Sequence, residues 1–301
     1  MLQVVLDSLI RAAELSFLAV GLTMTYKVLR FPNFAHVEFA TLGAYVALAF
    51  SANLGLPFLL ATALAVVLVG GLGVGIDRAI FYRLRNASPI MLMIASFALG
   101  IAIRESVRAG WGPSPHFYSL GVVKPWRFLD LRVTPTQVAI IAAALIAMFA
   151  FHLFLSRTRL GTAMRATADN LILAQASGID DRGVIRAVWL IGAGFAALGG
   201  AMIGLNTQIK PDMGFGIIIE VFAAAILGGI GHPYGAMLGA LVVGFAENFG
   251  LAINWAPLLG ALGFETGGFV YIPTGYKAAL PFVLLVLTLL IRPRGLLGAR
   301  R

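Results

Sequence analysis

The chain has 301 residues, of which 60% are hydrophobic and only 12% are charged, and its mean hydropathy is +0.93. Soluble domains carry about 25% charged residues, so this composition excludes an ordinary soluble protein and indicates one embedded in a membrane. Because the chain has no cysteine, disulfides and thiol-based metal or redox chemistry are excluded as well.

Runs of about 20 apolar residues, the length needed to cross a bilayer, recur along the whole chain. Two of them, 57–76 and 187–207, contain no charged residue. The full set predicts nine crossings, at 8–29, 34–53, 57–76, 89–108, 135–155, 187–207, 215–231, 233–255 and 269–291. The segment 215–231 is the weakest, because it is short and glycine-rich at its end, and a broken or re-entrant helix is the alternative there. The sequence thus predicts an all-α, polytopic bundle of eight or nine spans in one membrane domain, 1–301.

Small residues recur at every fourth position in three parts of the chain. The rows are Gly71 and Gly75; Ala196, Gly200 and Gly204; Gly231, Gly235 and Gly239. Such rows let helices approach closely in lipid, where hydrophobic burial does not drive association. Chance explains single pairs in a chain with 35 glycines, but three rows predict a tightly packed bundle.

Basic residues are distributed unevenly between the two sides of the predicted bundle. When the spans alternate, one side collects 14 of the 22 Lys and Arg residues. They are Lys27, Arg30, Arg78, Arg83, Arg85, Arg157, Arg159, Arg165, Arg182, Arg186, Arg292, Arg294, Arg300 and Arg301. Because cytoplasmic loops carry the excess positive charge, we expect this side in the cytoplasm, the N-terminus outside and the C-terminus inside. Topology thus accounts for the net charge of +9, and we expect no nucleic-acid partner.

The one long external connection, 109–134, carries the aromatic residues Trp111, Phe117, Tyr118 and Trp126. These side chains either cap the outer mouth of the bundle or lie at the membrane interface as an aromatic belt. We favour the interface.

The polar, basic connection 156–183 lies between two spans on the predicted cytoplasmic side. Small side chains recur in it at spacings of three and four, which predicts one helical face. They are Ala163, Ala166, Asn170, Ala174 and Ser177. Gly178 then offers a natural end to the helix. The stretch is either a solvated connection or a helix presented to a soluble partner.

Four blocks of the chain, in order along nearly its whole length, resemble the branched-chain amino acid (Liv-type) ABC permeases. The first, third and fourth are GLTMTYKVLRFPNFAHVEFATLGAYVA (21–47), FAAAILGGIGHPYGAMLGALVVGFAEN (222–248) and LLIRPRGLLG (289–298). The second consists of Gly161, Arg165, Ala166, Asn170, Ala174 and Gly178. The resemblance implies that this second block belongs to a cytoplasmic coupling loop that docks on an ATP-binding subunit.

The resemblance also implies a function and a set of partners. The chain would be the translocation subunit of an ATP-driven importer, expected for branched-chain or similar amino acids, in the bacterial inner membrane. It would pair with a related but distinct permease in contact with lipid, while a soluble solute-binding protein delivers substrate from outside. The chain itself would need no cofactor, because ATP and Mg²⁺ belong to two ATP-binding subunits. The nearest alternative is an importer of urea, amides or carboxylates.

Motifs for catalysis do not occur in the sequence. It has no phosphate-binding loop G-x-x-x-x-G-K-[ST], no H-E-x-x-H and no G-x-S-x-G. Its four histidines are too dispersed to predict a metal site. The sequence therefore favours a translocation subunit over an enzyme.

Ionisable residues within the spans are the remaining candidates for function, because they are costly in a bilayer. Glu38, with Asn33 and His36, lies at the start of a predicted span, and there we favour a structural hydrogen-bond network over substrate contact. Glu220 and Glu247 are the better candidates for the pathway, Glu220 because it stands alone in an apolar run.

The same two glutamates define a competing class, an ion-coupled secondary transporter or channel that uses Glu220 or Glu247 as its coupling site. Such a carrier has no need of a docking helix on the cytoplasmic side. Elsewhere in the spans, Arg11 and Glu14 are three residues apart and are expected to pair with one another.

Overall fold

The computed structural model describes residues 1–119, 121, 124–128, 131–261 and 268–298, and there the chain folds into a bundle of α-helices. The helices are α1 (Leu2–Leu29), α2 (His36–Asn53), α3 (Phe58–Ile76), α4 (Tyr82–Leu84), α5 (Pro89–Trp111), α6 (Pro135–Arg157), α7 (Arg159–Asp169), α8 (Leu171–Ala176), α9 (Asp181–Asn206), α10 (Met213–Gly216), α11 (Ile218–Gly228), α12 (Pro233–Ala252), α13 (Ala256–Ala261) and α14 (Ala279–Ile291). A π turn, Asp77–Phe81, joins α3 to α4, and a 3₁₀ turn, Thr274–Tyr276, precedes α14. Two short strands, β1 (Trp126–Phe128) and β2 (Leu131–Val133), pair antiparallel. The all-α, polytopic class is confirmed.

Sequence signals set several helix starts. Ser88 accepts a hydrogen bond from the Met91 amide at 3.3 Å, and Pro89 then begins α5. At α6, Thr134 and Gln137 form a reciprocal capping box around Pro135. Proline suits the first turn because that turn leaves its amide groups unpaired in any case. Both starts lie where the sequence predicts them.

Six helices in the described part of the chain are long and apolar enough to cross a membrane. They are Phe58–Leu84, Pro89–Trp111, Pro135–Arg157, Asp181–Asn206, Pro233–Ala252 and Thr274–Ile291. Three of the nine predicted crossings have no counterpart among these six helices, namely 8–29, 34–53 and 215–231. The count of nine crossings therefore stays a prediction.

Helices α1 and α2 are the centre of the bundle. Nearly every residue of α1 from Ala12 to Thr25 is buried, because α9, α11 and α12 surround it. A helix covered on all sides by protein need not present an apolar face to lipid, and so both helices tolerate ionisable residues. This explains why α1 and α2, despite their length, are not among the six apolar candidates.

The segment 215–231 is broken, as the alternative reading of the sequence expects. The chain leaves helical geometry at Ile217 and again at Gly229, whose φ is +106°. Between them α11 has only 11 residues, or about 16 Å of helix against a hydrocarbon core of about 30 Å. Irregular backbone at membrane depth must be covered by protein, and Ile217 and Gly229, where the helical geometry is interrupted, are both buried.

Two of the three predicted rows of small residues form close helix contacts. A side chain at Gly200 would collide with the Ala40 carbonyl of α2, and one at Gly239 would collide with the Ala224 carbonyl of α11. The row Gly71–Gly75 is wrong as a packing surface within the described chain, since a Cβ at either position would meet nothing within 4 Å. In α3 the close contacts to α9 come instead from Gly70, next to Gly71, and from Gly73, midway between Gly71 and Gly75.

The connection 109–134 has both buried and exposed aromatic side chains. Tyr118 is buried, packs edge-on against Phe58 at 4.8 Å and donates a hydrogen bond to the Ala44 carbonyl at 3.0 Å. Burial raises the pKa of this phenol. Phe117 and Trp126 remain exposed, and their place in an interfacial belt stays a prediction.

Candidate functional site

The polar connection after α6 forms two short helices with a sharp bend between them, which we call the elbow (α7, Asn170 and α8). The Thr158 hydroxyl accepts from the Gly161 amide at 2.9 Å and starts α7. At Asn170 the backbone is extended (φ −150°, ψ 104°), and its side-chain oxygen accepts from the Leu173 amide at 3.0 Å to start α8. Asparagine ends one helix and caps the next because its side chain competes with the backbone for hydrogen bonds.

The prediction of one continuous helical face through Ala166, Asn170 and Ala174 is therefore wrong. The bend at Asn170 turns α8 so that Ala174 is only 4% exposed, whereas Ala166 is partly buried and Asn170 is exposed. Spacing of three and four residues places side chains on one face only while the helix continues.

Gly178 ends the elbow as predicted. Its φ is +82°, a conformation that glycine adopts without steric cost. The Gly178 amide bonds to the Gln175 carbonyl at 2.9 Å, and the Ile179 amide bonds to the Ala174 carbonyl at 3.0 Å. This pair of bonds is the Schellman arrangement, which satisfies the last carbonyls of α8.

Five of the six residues of the predicted coupling pattern divide into an inner and an outer set, and the sixth, Ala166, is partly buried. Gly161 and Ala174 face the protein, and a side chain at Gly161 would collide with the Phe154 carbonyl of α6. Arg165, Asn170 and Gly178 are exposed. The inner members shape the elbow, and only the outer members are available to a partner.

Sequence reasoning missed the apolar tip of the elbow, which consists of Leu171, Ile172 and Leu173. These side chains are 44%, 79% and 64% exposed, although they lie in the most polar connection of the chain. The signal that could have revealed them is a three-residue aliphatic run directly after a helix-capping asparagine. Exposed apolar groups outside the bilayer, bordered by polar residues, are typical of a protein-binding surface.

The elbow is anchored to the end of α1. The Arg30 guanidinium donates to the Ala168 carbonyl, and Lys27 lies 3.6 Å from the Asp169 carboxylate. Nearby, Arg182 stands over the Tyr82 ring, 5.9 Å from its centre. These contacts bring three groups of the predicted cytoplasmic basic residues, at 27–30, 78–85 and 157–186, to one end of the bundle. In the fourth group, at 292–301, Arg300 and Arg301 lie outside the described residues.

A cluster of ionisable side chains, which we call the charge cluster, lies in the interior of the bundle around Arg11. Arg11 contacts Glu14 at 3.1 Å, Glu247 at 3.3 Å, and Glu220. Lys277 reaches Glu247 at 3.2 Å. The predicted Arg11–Glu14 pair is thus confirmed, and Glu220, isolated in the sequence, is paired in three dimensions.

The charge cluster joins five separate elements of the fold. Besides α1, α11, α12 and the segment before α14, it includes Asn206 at the end of α9, whose amide donates to Glu14 at 2.8 Å. The three carboxylates are buried and exceed the two cations by one. One Glu247 oxygen is buried without a hydrogen-bond partner among the described residues. Removing a cation from such a group is costly because it leaves buried charge uncompensated.

Glu38 belongs to a second polar group, at the start of α2. It accepts from the Thr41 hydroxyl at 3.1 Å and pairs with Arg104 of α5 at 3.7 Å. Thr41 in turn accepts from the Gly214 amide at 3.0 Å, and the Arg104 guanidinium stacks over Phe215 at 4.8 Å. Glu38 therefore connects α2, α5 and the broken segment around α10.

Asn33 and His36, predicted beside Glu38, make separate contacts. The Asn33 side-chain oxygen accepts from the Ala35 amide at 3.1 Å, and His36 is buried with its Nε2 3.0 Å from the Leu18 carbonyl. Asn33 therefore stabilises the turn into α2, and His36 holds the start of α2 against α1. Throughout the described chain no three His, Cys, Asp or Glu side chains are grouped as a metal site would require.

Comparisons with known proteins agree with this architecture. Residues 4–289 match the family model described as branched-chain amino acid transport system / permease component. The chain is 31% identical to the high-affinity branched-chain amino acid transport permease BraD of Pseudomonas aeruginosa and to LivH of Escherichia coli K12, in each case over 99% of this chain and 95% of the relative. A probable LivH of Methanocaldococcus jannaschii is 31% identical over 94% of this chain and 88% of its own. The chain belongs to the branched-chain amino acid permease family of ABC transport systems.

Proposed function

We propose that this chain is the translocation subunit of an ATP-driven importer for branched-chain or closely related amino acids. The observation that carries the proposal is membership of a permease family over residues 4–289, with full-length relatives named for branched-chain amino acid transport. The chain forms the membrane path, and it needs no cofactor of its own because ATP and Mg²⁺ are bound by separate subunits.

The elbow is the surface on which an ATP-binding subunit docks. Its apolar tip supports this role, because aliphatic side chains exposed to water gain free energy when a partner covers them. Asn170, which directly precedes the tip and is exposed, supplies a polar contact at its rim, as is usual in protein interfaces. Two such subunits, a second related permease and an external solute-binding protein complete the transporter.

The elbow end of the bundle faces the cytoplasm, with the N-terminus outside and the C-terminus inside. The convergence of the basic segments at this end supports the orientation, because positive charge is retained on the cytoplasmic side. At the opposite end the aromatic residues of the outer connection, Phe117 and Trp126, are exposed.

The charge cluster has a structural role in holding the helices together, and it is not the coupling site of an ion-driven carrier. In the secondary-transporter alternative, Glu220 or Glu247 would have to be free to exchange a proton or sodium ion. Arg11 contacts both carboxylates, and Lys277 also contacts Glu247. This pairing supports a fixed structural role for the cluster and weakens the alternative.

The test is uptake by the complete transporter reconstituted in vesicles. We expect leucine, isoleucine or valine uptake to require ATP and the solute-binding protein, and to persist after the ion gradients are collapsed. Uptake by this chain alone, driven by a proton or sodium gradient, would establish the secondary-transporter alternative. Transport of urea, amides or carboxylates without competition by leucine would retain the ABC mechanism but overturn the substrate class.

A further inference from the structure

A cavity of about 170 Å³ lies at the elbow end of the bundle, between the end of α1, the end of α6, α7 and the start of α12. It is separate from the charge cluster and from the apolar tip. Its walls combine cationic and apolar side chains, and no carboxylate is among them in the described chain.

Two cations line the cavity. Among the described residues Lys27 pairs only with Asp169, at 3.6 Å, and the Asp169 side chain is largely exposed, so that solvent screens the interaction. Arg165 has no carboxylate within ion-pairing distance among the described residues, and its one side-chain hydrogen bond goes to the Thr162 hydroxyl at 3.4 Å. The cavity therefore carries positive charge that the protein itself does not neutralise.

The start of α12 adds an imidazole nitrogen, unpartnered within the described chain, and a helix N-terminus. His232 is the N-cap of this 20-residue helix, and its buried Nδ1 has no hydrogen-bond partner among the described residues. A helix N-terminus carries partial positive charge and attracts anions. At the mouth of the cavity, His152 Nδ1 and the Tyr234 hydroxyl form a 2.7 Å hydrogen bond that joins α6 to α12.

The remaining walls are apolar, and they continue into an apolar stripe outside the cavity. Met24, Leu155 and Met164 line the interior. Beyond the mouth, Tyr234, Leu238, Leu241 and Phe245 follow at intervals of four, three and four residues along α12, which places them on one face. The first three are exposed and Phe245 is partly so. The stripe starts at the cavity and runs along the exposed surface of α12, toward the middle of the helix.

We propose that this cavity binds the headgroup of an anionic phospholipid, with an acyl chain lying along the α12 stripe. The phosphate lies between Lys27 and Arg165, which complement its charge, and the start of α12 faces it. A free anion would use the cations but not the stripe, whereas a lipid uses both. Basic pockets between helices on the cytoplasmic side of a membrane protein suit such headgroups.

The experiment compares lipid retention by the full-length permease, purified with its co-expressed partner subunits. Dioleoylphosphatidylglycerol or dioleoylphosphatidylcholine is added to delipidated protein, and bound lipid is counted by native mass spectrometry. We expect phosphatidylglycerol to be retained preferentially. Lys27→Met and Arg165→Met should each weaken its binding about fivefold, while Lys27→Arg should retain it. Arg127→Met, which removes an exposed cation of β1 at the other end, is the matched control.

Three results would overturn the proposal. The first is equal retention of both lipids by the wild-type protein. The second is equal loss of phosphatidylglycerol in Lys27→Met and Arg127→Met. The third is full displacement of phosphatidylglycerol by inorganic phosphate, which would identify a site for a free anion. Because lipid counting does not require transport, failure here leaves the proposed function standing.

Discussion

Replacing Ile172 with alanine tests the docking role of the elbow directly. Its side chain is 79% exposed at the apolar tip, so the substitution removes apolar surface without opening a cavity in the fold. Fully burying an isoleucine side chain stabilises a complex by about 1.5–3 kcal/mol. A partner that covers Ile172 would thus lose about 1–2 kcal/mol of binding free energy on truncation, or roughly 5- to 30-fold in affinity.

The assay is a titration of the ATP-binding subunit against the permease in nanodiscs, with substrate-stimulated ATPase as a second readout. Ile172→Asp should weaken docking further, because it places a charge where apolar contact is expected. Leu290→Ala is the matched control, since Leu290 is 76% exposed but lies on α14. We expect the control to bind the subunit like the wild type.

Substitution of Ala174 by tryptophan is a poorer probe of docking. Ala174 is buried against the protein, so a large side chain there would distort the elbow before any partner is met. Wild-type affinity in both Ile172→Ala and Ile172→Asp would refute the docking surface and leave the elbow as a solvated connection.

Three further predictions concern the rest of the molecule. Arg11→Met should lower stability by about 3–5 kcal/mol, seen as an earlier thermal transition in detergent, and adding Glu220→Gln should restore part of it; an unchanged transition would contradict the charge cluster's structural role. A cysteine at Gln175 should be labelled only from the cytoplasmic face and one at Ser119 only from outside, and labelling of both from one side would refute the topology. Arg30→Gln should leave the ATP-binding subunits bound but reduce substrate-stimulated ATPase, since the elbow loses its bond to α1; wild-type stimulation would exclude this anchoring role.

The spans were predictable where local chemistry marks their ends. Segments 57–76 and 135–155 are observed as Phe58–Ile76 and Pro135–Arg157. In both, a proline lies where the helix begins. The last span is less accurate, since the helix begins only at Ala279, after a 3₁₀ turn that follows Pro273. Periodicity and turn residues report on the nearest few positions, and these suffice for boundaries.

Contacts between distant parts of the chain could not be predicted in this way. Arg11 and Glu220 are 209 positions apart, and nothing in either neighbourhood of the sequence indicates the other. The same holds for Glu38 and Arg104. The prediction of one continuous helix through the elbow is wrong for a different reason. The Asn170 side chain can either face outward from a continuing helix or cap a new one, and only the packing of Ala174 decides between these two structures.

Helix α1 links the charge cluster to the elbow. Arg11 attaches one part of this helix to α11 and α12, while Lys27 and Arg30 attach its end to the last turn of α7. The two attachment points are separated by about 24 Å of continuous, buried helix, which can curve gently but cannot shorten or kink sharply without breaking backbone hydrogen bonds. A large displacement of the elbow would therefore either carry α1 with it or break its anchors. Because α11 belongs to the broken segment 215–231 and shares the cluster with α1, motion of the elbow would reach this irregular part of the bundle through α1.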